Sequence, residues 1–180
     1  MTPMAAIDIA SPCASWKRIC PDAECLARNT ALAALVDGIA ATEIRSLGQV
    51  ELGITLTDDA HQRQLNRRYR GQDASTNVLA FQAWEPGMHA PPGVPLPLGD
   101  VVLAFETVAR EADEQVKPFC DHVRHLIVHG VLHLLGCDHF READAIVMER
   151  LETSILAKLG VPNPYPDINN WFIEPESVPP

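Results

Sequence analysis

The chain has 180 residues, 47% hydrophobic and 21% charged, which suits one folded domain with a real core and excludes a disordered chain. Its formal net charge is −10, so a polyanionic partner would have to be met by a local basic patch acting within a Debye length of roughly 8 Å. Five irregularly spaced cysteines, no basic leader in "MTPMAAIDIASPCASWK" and no run near the roughly 20 apolar residues of a membrane span predict free thiols, a cytoplasmic location and no membrane contact.

In chain order, "MAAIDIA" reads as a first strand, and residues 22–45 carry helical spacing through Leu26, Ala33, Leu35, Ile39 and Ile44. "VELGITLT" alternates, with Val50, Leu52, Ile54 and Leu56 on one face of a strand. Thr57 is the expected N-cap of a helix running to about Arg68, with Asp58 and Asp59 in its first turn. "TNVLAF" (76–81) is a strand, and "WEPGMHAPPGVPLP" a Pro- and Gly-rich loop. "GDVVLAF" is a further strand, leading into a helix over 106–116 that stops before Pro118. A long apolar helix over 119–135 is closed by Gly136, and a last helix over 141–159 by Gly160 and Pro162. The expected fold is α+β: a single compact domain over 1–165, with a small mixed β-sheet flanked by helices and a central buried histidine-bearing helix. A Pro-rich tail, 166–180, follows and contains Trp171 and Phe172.

On that central helix, about 100° of rotation per residue puts His122, His125, His129 and His133 in a sector roughly 80° wide. The rest of its circumference is apolar, as in a buried helix, so the polar sector faces something other than bulk water. His129 and His133, one turn apart, are the pair that can share one tetrahedral ion, whereas His125 and His133 are separated by a rise of about 12 Å. Gly136 can turn the chain back so that His139 supplies a third nitrogen; Cys137 or Asp138 are alternatives, Asp138 being more at home behind the ligands. Three protein ligands leave a fourth position for water, as in catalytic sites.

"HGVLHLLGCDH" (129–139) matches the metzincin spacing H-E-x-x-H-x-x-G-x-x-H except that Gly130 stands where the protease has its glutamate base. Glycine cannot take a proton, so peptide hydrolysis is disfavoured, while Lewis-acid chemistry is not.

The same segment resembles the H-G-x-x-H-x-x-G-x-D-H signature of the YbeY family of bacterial zinc-dependent endoribonucleases. An upstream block "LNRRYRGQDASTNVLAF" and a strand "LGDVVLA" are similar to that family and stand in its order. The resemblance spans roughly residues 50 to 165. It implies one Zn2+ per chain held by His129, His133 and His139, and a catalytic arginine at Arg70. It also implies action on single-stranded RNA, at the 3′ end of small-subunit rRNA precursors and in ribosome quality control. Partners would be small-subunit proteins or a ribosome-associated GTPase, with no DNA expected. The block departs from the family at Ser75 and Gln82, where proline is usual, and at Ala80, where serine is usual.

Independently of that resemblance, "HQRQLNRRYRG" holds Arg63, Arg67, Arg68 and Arg70 with no acid, the one basic stretch in an acidic chain. Arginine's planar fork suits the negative charge that builds on phosphoryl oxygens, and a metal can activate water or a ribose hydroxyl without a glutamate. His125, Asp138, Arg67 and Arg68 are expected to contact substrate or to support the ligands from behind. Tyr69 and Phe81 read first as core packing, with base stacking the alternative. The competing functions are a zinc metallohydrolase acting on a non-RNA substrate and a non-catalytic ribosome assembly factor with structural zinc.

Overall fold

A computed structural model describes residues 5–41, 49–85, 87–88, 90–137 and 141–165. The described elements, in chain order, are β1 (Ala5–Ala10), α1 (Ser15–Ile19), α2 (Ala23–Ala41), β2 (Val50–Thr57), α3 (Asp59–Arg70), β3 (Val78–Gln82), β4 (Leu96–Ala104), α4 (Phe105–Glu114), α5 (Phe119–Leu134) and α6 (Glu142–Lys158). One four-stranded sheet has the order β1-β2-β4-β3. The β1–β2 and β2–β4 pairs are parallel, and β3 runs antiparallel to β4 at the edge. This is the α+β architecture with a mixed sheet and a central histidine helix that the sequence predicts.

The alternation in β2 places Val50, Leu52, Ile54 and Leu56 in the core, each at most 3% exposed. β4 is buried along most of its length, as a central strand covered on both faces should be. Helix α5 lies against the sheet and packs beside α2, whose buried residues are mostly small: Ala23, Ala27, Ala31, Ala34 and Gly38, with Thr30 and Leu35. At Gly38 a Cβ would stand 2.4 Å from Leu135 Cδ1, so the two helices approach closer than larger side chains allow.

Four local details differ from expectation. Helix α1 precedes α2, and its Trp16 is fully buried between Phe105 and Phe119, donating from Nε1 to the Thr57 carbonyl at 2.9 Å. The N-cap of α3 is Asp58, which accepts from the His61 N–H at 2.8 Å, while Thr57 closes β2. Helix α3 runs past the expected end near Arg68 to Arg70, with Gly71 as its left-handed cap. Strand β4 begins at Leu96, inside the stretch read as loop. The predicted end of α2 beyond Ala41 and the tail 166–180 lie outside the described residues. Among the described residues no helix is long and apolar enough to cross a membrane.

Two polar clamps fix α3. Asp59 accepts from the Thr107 N–H and hydroxyl at 3.0 and 2.8 Å, and its own N–H donates to Glu106 at 2.8 Å, so α3 and α4 cap each other. Gln62, fully buried, donates to the Val102 carbonyl at 3.0 Å and accepts from Thr76 N–H at 2.8 Å and Ser75 Oγ at 3.2 Å. Ser75, where proline is usual in the similar family, thus helps hold the loop entering β3.

Gly130 packs against the central strand: a Cβ there would lie 2.7 Å from Val101 Cγ1 and 3.1 Å from Cγ2. Val101 is β-branched and fully buried, so it cannot swing away cheaply. The glycine that replaces the metzincin glutamate is therefore demanded by helix-to-sheet contact, and a glutamate has no room at this position. Gly130→Ala should cost about 1–3 kcal/mol in urea unfolding, partly recovered by adding Val101→Ala. A loss below about 0.5 kcal/mol would contradict this packing.

Candidate metal centre

The histidine sector of α5 is assembled as its periodicity predicts. Ring centroids of His122 and His125, and of His125 and His129, are 6.4 Å apart, and those of His129 and His133 are 4.5 Å apart. Going down the helix, burial falls: His122 is 4% exposed, the His125 side chain 16% and the His129 side chain 28%. The sector opens to solvent where His129 and His133 stand.

These two rings point their Nε2 atoms at each other, 3.1 Å apart. Two nitrogens bound at 2.0–2.1 Å to one tetrahedral ion stand about 3.3–3.4 Å apart, so the pair is nearly in the spacing an ion requires. The other nitrogen of His129 is committed: Nδ1 meets Glu152 Oε1 at 2.7 Å. A carboxylate accepts only, so Nδ1 carries the proton of that bond and Nε2 is left facing His133.

Glu152 was not singled out in the sequence, and it organises this site. It is 1% exposed on α6 and gathers His129 Nδ1, His125 Nε2 at 3.3 Å, and the Tyr165 hydroxyl, which makes a short bond to Oε2. Burial alone would raise its carboxyl. The hydrogen bonds from His125 and His129, the charge interaction with His129 and the bond from Tyr165 overcome that and hold it at about 2. Burial and the adjacent Glu152 charge push the Tyr165 phenol up, so it remains a donor. Tyr165 reaches this position because Asn163 accepts from Tyr165 N–H at 2.9 Å and donates to its carbonyl at 3.0 Å, folding back the chain after Gly160.

His125 is bonded to Glu152 and, at 3.0 Å, to Tyr165. His122 is turned elsewhere: Nε2 meets Glu111 Oε2 of α4 at 2.9 Å, and burial keeps its imidazole below the ordinary histidine value despite that carboxylate. Glu111 also accepts from Asn77 Nδ2 at 2.9 Å, which links α5 to the start of β3.

At the C-terminal end of α5, Trp84 Nε1 donates to the Leu134 carbonyl at 2.5 Å, and Gly136 adopts the left-handed conformation, φ 83°. The chain thus turns back where the spacing of "HLLG" requires. His139 and Asp138 lie outside the described residues. Cys137 is half-buried, its thiol pushed up by burial and by the Glu152 charge. Among the described residues no group of three imidazole, thiolate and carboxylate side chains forms a complete ion site. The residues that are described fit the first two positions of one.

The arginines fare unequally. Arg63 is neutralised by Asp73 through two 2.9 Å bonds, so the stretch is less basic than its own letters suggest. Arg70 Nη2 donates to the Ala80 carbonyl of edge strand β3 at 3.0 Å, and its guanidinium lies 5.8 Å from the Phe81 ring centroid. The acceptor is backbone, so the change from serine to alanine at position 80 leaves this contact intact. Arg67 and Arg68 are exposed on the same last turn of α3. Tyr69 and Phe81 are not core residues: Tyr69 is 61% exposed and meets the half-buried Phe81 at 5.4 Å.

Removing the carboxylate would leave several buried donors unsatisfied. Glu152→Ala should destabilise the fold by about 3–5 kcal/mol in urea unfolding, and Tyr165→Phe by about 1 kcal/mol. A Glu152→Ala loss below about 1 kcal/mol would show that the carboxylate is not the bonded hub described.

Comparison with known proteins shows the family. The family model "Endoribonuclease YbeY" matches residues 24–160. An endoribonuclease YbeY from Paramagnetospirillum magneticum is 52% identical over 162 residues, 89% of this chain and 94% of that protein. One from a Bradyrhizobium strain is 47% identical, covering 92% of this chain and 94% of that protein. The solution structure of a Thermotoga maritima protein covers 97% of this chain and 100% of its own, with a TM-score of 0.55 and 19% identity, a likeness of fold. The chain belongs to the endoribonuclease YbeY family.

Proposed function

We propose that this chain is a cytoplasmic, single-strand-specific endoribonuclease that cleaves phosphodiester bonds in ribosomal RNA maturation, at the 3′ end of small-subunit rRNA, and in ribosome quality control. One Zn2+ per chain would be held by His129, His133 and His139. The observation that carries the reading is the 3.1 Å approach of the His129 and His133 Nε2 atoms, with His129 tied from behind to a buried carboxylate. Such a tie is what orients metal-ligating imidazoles in general.

When bound, the ion supplies Lewis acidity toward phosphoryl oxygen. The remaining work falls to the protein. Glu152 holds His129 in one tautomer and His125 holds Glu152, so the ligand geometry is set before substrate arrives. Arg70 spends one of its five N–H donors on Ala80 and keeps the others for a phosphate. Arg67 and Arg68 offer further positive charge on the same turn, against a chain of net charge −10. Asp138, beside the expected third ligand, is assigned a supporting role. Small-subunit proteins or a ribosome-associated GTPase would bring the enzyme to its RNA.

Gly130 and its contact with Val101 weigh against a peptidase on this spacing. The full chain loaded with zinc should cut unstructured RNA, and His133→Ala or Arg70→Glu should each lower the rate by at least about a hundredfold. If both variants cut as fast as the parent, the activity does not come from this site.

A further inference from the structure

We propose that Tyr69, seated on Phe81 and flanked by Arg68 and Arg70, is a stacking platform for an unpaired base of the RNA substrate. The inference rests on the endoribonuclease reading and adds to it a place where the substrate is gripped.

Tyr69 projects from the last turn of α3 and is 61% exposed, in a chain where only 6% of residues are aromatic. It is not loose. Its ring meets Phe81 of edge strand β3 at 5.4 Å between centroids and 60° between planes, an edge-to-face contact that fixes its orientation and leaves much of its surface in water. Two guanidinium groups complete the surface: Arg68 lies 5.4 Å from the Tyr69 centroid, and Arg70 lies 5.8 Å from the Phe81 centroid.

The charges are arranged for a polyanion. Arg63, about two turns before Arg70 on α3, is paired with Asp73, whereas Arg70 is held by an uncharged carbonyl. Surfaces that bind single strands combine an aromatic face for the base with cations for the backbone. A base inside a duplex has both faces stacked and cannot lie on Tyr69. The platform thus accounts for a preference for unpaired RNA without any base-specific hydrogen bond. Because Arg70 adjoins it in sequence, a stacked base would hold a phosphate beside the residue assigned to charge neutralisation.

The test uses the full chain carrying His133→Ala, so that RNA persists, and a short unstructured RNA containing 2-aminopurine, whose fluorescence is quenched on stacking. Tyr69→Leu keeps apolar bulk and removes the π-face; it should abolish the quenching and weaken binding about tenfold. Tyr69→Phe should behave as the parent, and affinity for a duplex should be the same in all three. Tyr69 is exposed, so folding is not at stake. If Tyr69→Leu binds and quenches like the parent, the platform is wrong even where the zinc-loaded wild-type chain cuts RNA. If the parent binds no RNA, the platform and the endoribonuclease reading fall together.

Discussion

An ionised carboxylate with 1% of its surface exposed persists only when the groups around it replace the water it has lost. Glu152 meets that condition with donors from three places in the chain: His129 and His125 on α5, and Tyr165 beyond α6. Each donor is in turn constrained by the bargain. His129 must keep its proton on Nδ1, which turns Nε2 toward His133. Tyr165 must fold back, which the Asn163 turn secures. The facing geometry of His129 and His133 is thus a consequence of satisfying one buried charge.

A second polar thread joins that helix to the β3 edge of the sheet. His122 bonds Glu111, Glu111 bonds Asn77, and Asn77 Oδ1 accepts from the Val78 N–H at 2.7 Å as β3 begins. Gln62 braces the same loop from α3. The three sequence blocks that resemble the family are therefore connected physically: the α3 arginine block runs into β3, β4 backs it, and α5 lies across β4 with Gly130 against Val101. Hydrogen bonds to buried carboxylates and amides fix such relations more tightly than apolar packing alone, because each broken bond strands a polar group.

Much of this was legible from periodicity. The alternation of β2 and the four-histidine sector of α5 depend only on local geometry, and both are as expected. Gly136 and Gly160 end their helices in the left-handed conformation expected of closing glycines, Gly160 with Pro162 two residues on. What escaped were relations between distant residues. Asp73 neutralises Arg63 across ten positions, and Phe81 holds Tyr69 out in solvent, contrary to the core-packing reading. Glu152 did leave a signal: it falls with Met148, Ile155 and Leu156 on the buried stripe of α6, a carboxylate where the spacing calls for an apolar residue. A buried acid needs a partner, and the histidine sector offered it. Gly130 was read through chemistry, as a missing base; its cause is steric, visible only once Val101 is placed opposite.

The central claim is that His129 and His133 hold a divalent ion. Native mass spectrometry of the full chain, purified without chelator, tests it directly. The account predicts one transition-metal ion per chain in the parent and none in a folded His129→Ala, His133→Ala double variant. A parent without metal, or a double variant that keeps the same ion, would contradict it.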